Sequence, residues 1–318
     1  MTVKKRRSWK KRLRRAVRYG LIRTVAAAVG LLPVRLASAV GAGLGGLGWR
    51  LAGGERQKAL ESLAVAFPER TVDERRALGR ACFAHLGRCA LEMACLRQFD
   101  RNIEAYVEWP AESLAVLERA LARKKGVLVV TGHVGHWELL ARRIALAGFP
   151  AHTIAKESSD PRLTAFIGAL RASGGLKTIW RGQPSAGKDL LRIFKQGGAL
   201  GLLIDQDTKV QSVFVPFFGH EAKTPRAAAD LAFRTGAAVV LGFCHRVGPV
   251  SFRMSVEEVP VPAERGEEAV VAFTAALTKG IENAIRSHPE QWVWMHRRWR
   301  SRPEEVAAEV NDEAPPPV

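Results

Sequence analysis

The chain has 318 residues, 47% of them hydrophobic, which is enough for one large core or for a main domain with a helical extension. Its net charge of +18 is concentrated at one end: residues 1–54 hold thirteen of the 49 Lys and Arg and none of the 31 Asp and Glu. The four cysteines, Cys82, Cys89, Cys95 and Cys244, form no CxxC pair; they read as reduced, buried small hydrophobes with no chemistry of their own.

Nine of the N-terminal cations fall in "KKRRSWKKRLRR", a run that suits either a nucleic-acid arm or a polybasic segment on an anionic membrane. The adjoining stretch favours the membrane. Residues 24–49, "TVAAAVGLLPVRLASAVGAGLGGLGW", are apolar apart from Pro33 and Arg35. Their longest uncharged piece, Leu36–Trp49, has 14 residues, short of the ~20 needed to span a bilayer as a helix. The sequence therefore predicts a membrane-seated segment that is shallow, tilted or re-entrant, with its basic flank in the cytoplasm. Residues 1–20 are the basic cytoplasmic segment and 21–54 the apolar anchor.

Residues 55–97 read as helical. "TVDE" at 71–74 has the spacing of a capping box and opens a long helix. In that helix Leu78, Cys82, His85, Leu86 and Cys89 recur at intervals of three and four, so this face is buried and His85 reads as a core histidine. A further helix covers about 111–124. "VLVVT" at 127–131 is a continuous β-branched run, as expected of a strand covered on both faces. A helix follows from about His136 to Ala147. Next come "AHTIA" as a strand, 162–172 as a helix, "KTIW" as a strand, 186–196 as a helix and "ALGLLID" as a strand. The stretch "SVFVPFF" is followed by a helix at about 225–235, the strands "AAVVLGFC" and "FRMSVEEV", and a long helix at 267–287. The predicted fold class is α/β, a mostly parallel mixed sheet with helices on both faces, preceded by an N-terminal helical membrane-associated region. The catalytic domain covers 55–300, helical over 55–125 and α/β over 126–300, and 301–318 reads as a disordered tail.

Ligands of such sheets collect at the carboxyl ends of the strands. His133 lies two residues beyond the strand 127–131, in the Gly-flanked turn "GHVG", and Glu138 falls in the first turn of the next helix. A carboxylate on one ring nitrogen raises the basicity of the other, so the pair predicts a general base acting directly on a substrate hydroxyl. No GxSxG is present to supply a nucleophile elbow. A metal set of His133, His136 and Glu138 is the minor alternative, since His136 and Glu138 would lie roughly 200° apart around the helix.

"TGHVGHWELLA" resembles the His-x4-Asp/Glu motif of the glycerolipid acyltransferases, in the "HxGNWE" form of the bacterial lipid A biosynthesis acyltransferases. "RQKALESLAVAFPERTVDERRAL", "LIDQD", "SVFVPFFGHEAKTP" and "HPEQWVWMHRRWR" resemble that family's other blocks in the same order, over roughly residues 20–300. The resemblance implies that His133 is the base that deprotonates an acceptor hydroxyl and Glu138 its carboxylate partner. It also implies that Arg171, Asp205, Gln206, Asp207, Phe218, Gly219 and Thr224 belong to the substrate-binding blocks. His136 stands where the family has Asn, a departure that bears on the fine geometry of the loop.

The expected activity is transfer of a fatty acyl chain from an acyl carrier protein or acyl-CoA to a hydroxyl of a lipid A precursor, with no cofactor and no metal; the alternative acceptor is another membrane glycolipid, such as a phosphatidylinositol mannoside or an aminolipid. The expected location is the cell inner membrane, catalytic domain on the cytoplasmic side. In "WVWMHRRWR", Trp292, Trp294 and Trp299 alternate with Arg297, Arg298 and Arg300, a mixture that suits an interface with lipid phosphates. The same mixture suits RNA, and a basic nucleic-acid-binding protein is the rival reading from a different class; the resemblance implies no nucleic-acid partner.

Overall fold

Val127–Thr131 is buried at every position, as a strand covered on both faces requires. In this computed structural model, which describes residues 2–303, it lies at the centre of a seven-stranded sheet. The chain begins with the helices α1 (Thr2–Gly30), α2 (Val34–Leu51), α3 (Gly53–Ala66) and α4 (Val72–Glu92). Short helices α5 (Leu96–Arg101) and α6 (Ile103–Tyr106) lead to the edge strand β1 (Val107–Glu108) and to α7 (Ala111–Ala122). The α/β part then runs β2 (Val127–Thr131), α8 (Trp137–Leu146), β3 (Ala151–Lys156), α9 (Pro161–Ala172), β4 (Lys177–Arg181), α10 (Ala186–Lys195) and β5 (Ala199–Leu203). It ends with β6 (Ser212–Phe217), β7 (His220–Pro225), α11 (Ala227–Thr235), β8 (Ala238–Arg246), β9 (Phe252–Val259) and α12 (Glu267–Ser287).

The sheet order is β1-β9-β8-β2-β5-β3-β4, parallel throughout except for β8 with β9. Alternate residues of β2 feed two cores. Leu128 and Val130 join side chains of α3, α4, α10, α11 and α12 on one face, whereas Val127 and Val129 join those of α7 and α8 on the other. From β2 the chain moves to β3 and β4 on one side, returns to insert β5 beside β2, and then crosses to β8 on the far side. The switch point of the topology is therefore the crevice between the carboxyl ends of β2 and β5.

The predicted α/β class and the order of its strands and helices hold, and Thr71 closes the capping box with Glu74 at the start of α4. Two strands were not predicted. β1 is only two residues long, and β7 pairs with β6 in a hairpin outside the main sheet. Its turn is Phe218-Gly219, at φ +52° and +77°, the backbone of a two-residue type I′ hairpin. The Phe at the first position hides that signal from a search for Asn-Gly or Asp-Gly. The predicted tail falls mostly in residues 304–318, outside the described residues.

Residues 24–49 do not form one segment. α1 ends at Gly30 and α2 restarts at Val34, after Pro33. Among the described residues no helix is long and apolar enough to cross a membrane. The glycines of α2 serve its packing. A Cβ at Gly41 would strike the carbonyl of Gly87 on α4, and one at Gly45 the carbonyl of Phe83, so the two helix backbones touch. The opposite face leaves Leu36, Val40, Leu44, Leu47 and Leu51 exposed. Gly45→Val is expected to lower stability by at least ~1–3 kcal/mol, because neither backbone can yield. Gly43→Ala, which points into open space, is expected to be neutral or to add up to ~1 kcal/mol of helix propensity. Thermal unfolding of the two variants side by side checks both.

Candidate active site

Parallel pairing of β2 with β5 is continuous from Val127↔Ala199 to Thr131↔Leu203. The same 72-residue offset carries past the strand ends, so that the residue two beyond β2, His133, stands opposite the residue two beyond β5, Asp205. The two meet through a pair of hydrogen bonds. The His133 backbone amide donates to Asp205 Oδ2 at 2.7 Å, and His133 Nδ1 donates to Oδ1 at 2.9 Å. Trp292 Nε1 donates to Oδ2 at 2.8 Å from the C-terminal segment. Burial acts to raise the Asp205 carboxyl, but the imidazole charge and these three hydrogen bonds outweigh it and hold the group down at about 2.

A carboxylate on Nδ1 keeps the proton there and leaves Nε2 as the acceptor. The side-chain nitrogen of Gln206 lies 3.3 Å from that Nε2 and 2.7 Å from Nε2 of His296, so one amide group bridges the two imidazoles. Its 3.0 Å approach to His133 Nδ1 is no hydrogen bond while Nδ1 donates to Asp205. Trp137 packs edge-on against the His133 ring, with centroids 5.0 Å apart.

The turn that carries His133 is tied on every side. Gly135 N donates to Gln291 O at 2.9 Å and His136 N to Cys244 O at 2.8 Å. His85 Nε2 meets Gly135 O at 3.1 Å, which accounts for this core histidine. Gly135 sits at φ +61°, and a Cβ there would overlap the Cys244 carbonyl; only glycine fits. His136 caps α8, its Nδ1 accepting from Leu139 N at 3.3 Å, and so does the orienting work expected of the Asn it replaces. The other edge of its ring faces Glu92 Oε2 at 3.5 Å, and Glu92 is itself held by Arg246 at 2.5 Å.

The alternative metal triad does not converge: His133 is bonded to Asp205, His136 faces Glu92 and Glu138 is bonded to Arg171. Among the described residues only Cys89, Glu92 and His136 bring donor atoms close enough to share an ion. Burial pushes the Cys89 thiol up to about 12, and the Arg246 guanidinium already neutralises Glu92. A protonated thiol beside a paired carboxylate does not suit a cation.

Glu138 is not the partner of His133. Its carboxylate is held bidentately by Arg171 on α9, through Nε at 3.0 Å and through a second, shorter bond from the guanidinium. Sequence proximity suggested the reverse, but the pairing register delivers Asp205 to Nδ1, and a guanidinium fork suits a carboxylate better than one imidazole N–H does. Glu138 and Arg171 nevertheless share a cavity of about 470 Å³ with His133 and Gln206. Apart from these groups the walls are mainly apolar, with Val129, Leu140, Ile144, Leu176, Leu203 and Leu231 among them.

The remaining predicted site residues lie outside that lining. Asp207 accepts from Ser301 Oγ at 2.7 Å and pairs with Arg300. Phe218 is buried, with its amide donating to Glu282 at 2.8 Å, Gly219 completes the hairpin turn, and buried Thr224 is bonded to Arg298. The expectation of a Trp/Arg interface is corrected in part: Arg297 and Arg300 are exposed, but Trp292, Trp294 and Arg298 are 1%, 0% and 0% exposed. These last three are core, and Trp292, like His296, is a site residue that sequence reading missed: nothing in the local pattern says that an indole 87 residues away would reach Asp205.

A sequence model of the family described as bacterial lipid A biosynthesis acyltransferase matches residues 5–301. The lipid A biosynthesis lauroyltransferase of Escherichia coli (strain K12) is 26% identical over 282 residues, covering 86% of this chain and 89% of that protein. The palmitoleoyltransferase of the same strain is 27% identical over 254 residues, 77% of this chain and 78% of the other. A phosphatidylinositol mannoside acyltransferase of Mycobacterium tuberculosis (strain CDC 1551 / Oshkosh) is 25% identical over 209 residues, 64% of this chain and 61% of the other. The chain belongs to the bacterial lipid A biosynthesis acyltransferase family and is an O-acyltransferase.

Acid stability probes the buried histidines beneath the turn. Burial, then the nearby Arg246, lowers His136 to about 3. A lowered folded-state value means that the unfolded chain takes up the proton first, so this stability is present above pH ~6.5 and is lost as pH falls toward 3, with a slope of up to ~1.4 kcal/mol per unit per group. Denaturant midpoints measured from pH 7 to 4 are expected to fall less steeply in His136→Asn than in the wild type.

Proposed function

We propose that this acyltransferase moves a fatty acyl chain from a thioester donor, an acyl carrier protein or acyl-CoA, to a hydroxyl of a lipid A precursor. The observation that carries the reading is an imidazole, held at Nδ1 by a buried carboxylate, at the mouth of a mainly apolar cavity. His133 Nε2 takes the proton of the acceptor hydroxyl, displacing the Gln206 amide that now contacts it, and the oxygen attacks the thioester carbonyl. The tetrahedral intermediate needs a donor for its oxyanion. Arg171 supplies one, since its Nη1 has no hydrogen-bond partner while Glu138 holds the rest of the guanidinium. Collapse expels the thiolate, which recovers the proton from His133. Among the described residues no Ser or Cys lines the cavity, which supports direct transfer over a covalent acyl-enzyme.

The acyl chain occupies the cavity, where each buried methylene contributes ~0.8 kcal/mol. We further propose that α1 and α2 lie in the cytoplasmic face of the inner membrane rather than cross it. Trp9, Leu13, Val17, Leu21 and Val25 recur every four residues on the exposed side of α1, and exposed Arg12, Arg14, Arg18 and Arg23 interleave with them. With the exposed leucines of α2 this makes an apolar stripe flanked by cations, the arrangement that seats a helix at an anionic interface. The similarity to a phosphatidylinositol mannoside acyltransferase supports a second reading, in which the acceptor is another membrane glycolipid.

Three measurements test these statements. His133→Ala and Asp205→Asn are each expected to cut transfer by a factor of ~10² or more in a folded protein; near-full activity in folded His133→Ala would remove the proposed base. Mass spectrometry of lipids from a strain lacking the protein is expected to show one secondary acyl chain missing from lipid A, whereas unchanged lipid A with another glycolipid altered selects the second reading. Leu21→Glu with Leu44→Glu is expected to move the protein from the pelleted membrane fraction to the supernatant, and retention in the pellet would reject the seating.

A further inference from the structure

Among the long strands of the sheet the pairing is shortest between β3 and β5. β2 and β5 pair over five rungs, but β3 and β5 pair over only three, the last being Thr153↔Gly201. β3 then stays with β4 as far as Lys156↔Arg181, so beyond Gly201 it parts from β5. The cavity occupies this split. Its walls include Leu140 and Ile144, which belong to the core on one face of the sheet, and Leu202 and Ile204, which belong to the core on the other. Gly201 stands at the fork. It lies four residues before Asp205, ~13 Å down the strand from the base. Deeper than Gly201 the strand residues on this face are small, Ala151 and Ala199, with Ile144 and Leu176 also in the lining.

A glycine in the middle of a central strand weakens the strand and needs a reason, such as the close approach of another molecule. Gly201 is half-buried even though it is flanked by strands on both sides, because one of its faces opens on the cavity. The atoms nearest to a Cβ placed there belong to the neighbouring strand, His152 O at 3.5 Å and Thr153 Oγ1 at 3.8 Å. Those are ordinary contacts, so neither backbone conformation nor packing with β3 requires glycine at this position. What a side chain would do is enter the cavity at the level of the fork.

We propose that Gly201 sets the length of acyl chain this enzyme transfers, by leaving the cavity open past the fork toward Ala151 and Ala199. The inference rests on the reading that the cavity holds the acyl chain. With the thioester carbonyl at His133, carbons near the thioester contact Leu203 and those farther along pass Gly201 toward Ala199. A side chain at 201 removes the space that only the longer chains use.

The test is a comparison of kcat/KM for short-, medium- and long-chain saturated acyl donors, in wild type, Gly201→Ala and Gly201→Leu, with thermal unfolding of each. Gly201→Ala adds one methyl at van der Waals distance and is the variant that preserves the fold. The expected result is a graded shift: the long-to-short ratio falls by about tenfold or more in Gly201→Leu and less in Gly201→Ala, while short-chain transfer stays near the wild-type rate. An unchanged chain-length profile in folded Gly201→Ala and Gly201→Leu overturns the assignment, as does an equal loss on all donors. Wild-type protein that transfers no chain from any donor would instead overturn the acyltransfer reading of the cavity on which the assignment rests.

Discussion

One register governs this molecule. Pairing of Val127 with Ala199, kept rung by rung to Thr131 with Leu203, decides which residue faces which when the two strands run out. A slip of one residue would turn every side chain of β5 to the other face. It would also bring Ile204 or Gln206 opposite His133 in place of Asp205. The register is secured by the cores it feeds: Leu128, Val130, Leu200 and Leu202 lie on one face, Val127, Val129 and Ala199 on the other. The chemistry at the strand ends thus inherits its precision from apolar packing several residues below.

Around that pairing, distant parts of the chain converge to immobilise a short turn. α4 contributes His85 and Glu92, β8 contributes the Cys244 carbonyl and Arg246, and the segment after α12 contributes Gln291 O and the Trp292 indole. Each removes a degree of freedom from the backbone on either side of His133. Such closure suits a general base, which must meet a hydroxyl within hydrogen-bond reach and in one orientation. The buried ion pair of Glu92 with Arg246 sits one layer further in, where breaking either partner would strand a charge.

The cavity is the counterpart of this rigidity. Where β3 leaves β5, the sheet gives up hydrogen bonds and opens a passage that both apolar cores line. The N-terminal helices add a second kind of apolar surface. On α2, Gly41 and Gly45 let one face touch α4 at backbone distance, and the opposite face is left with leucines that no part of the described chain covers. Small residues inside and large ones outside invert the arrangement of a soluble helix.

Much of this was legible in the chain itself. β-branched continuity announced the central strand, the Thr71–Glu74 spacing announced α4, and the Gly-bracketed His133 announced the turn at the carboxyl end of that strand. These signals are local, and local propensity with periodicity survives folding intact. The sequence also placed Glu138 near His133, and there proximity along the chain misled: a contact six residues away or fewer competes with any partner that strand pairing supplies. That Asp205 holds His133, that Trp292 holds Asp205, that Glu138 holds Arg171 and that Gly201 stands at a fork in the sheet were decided only by the tertiary structure. Each depends on a register or a strand departure set by packing summed over both faces, and no single stretch of sequence carries that sum.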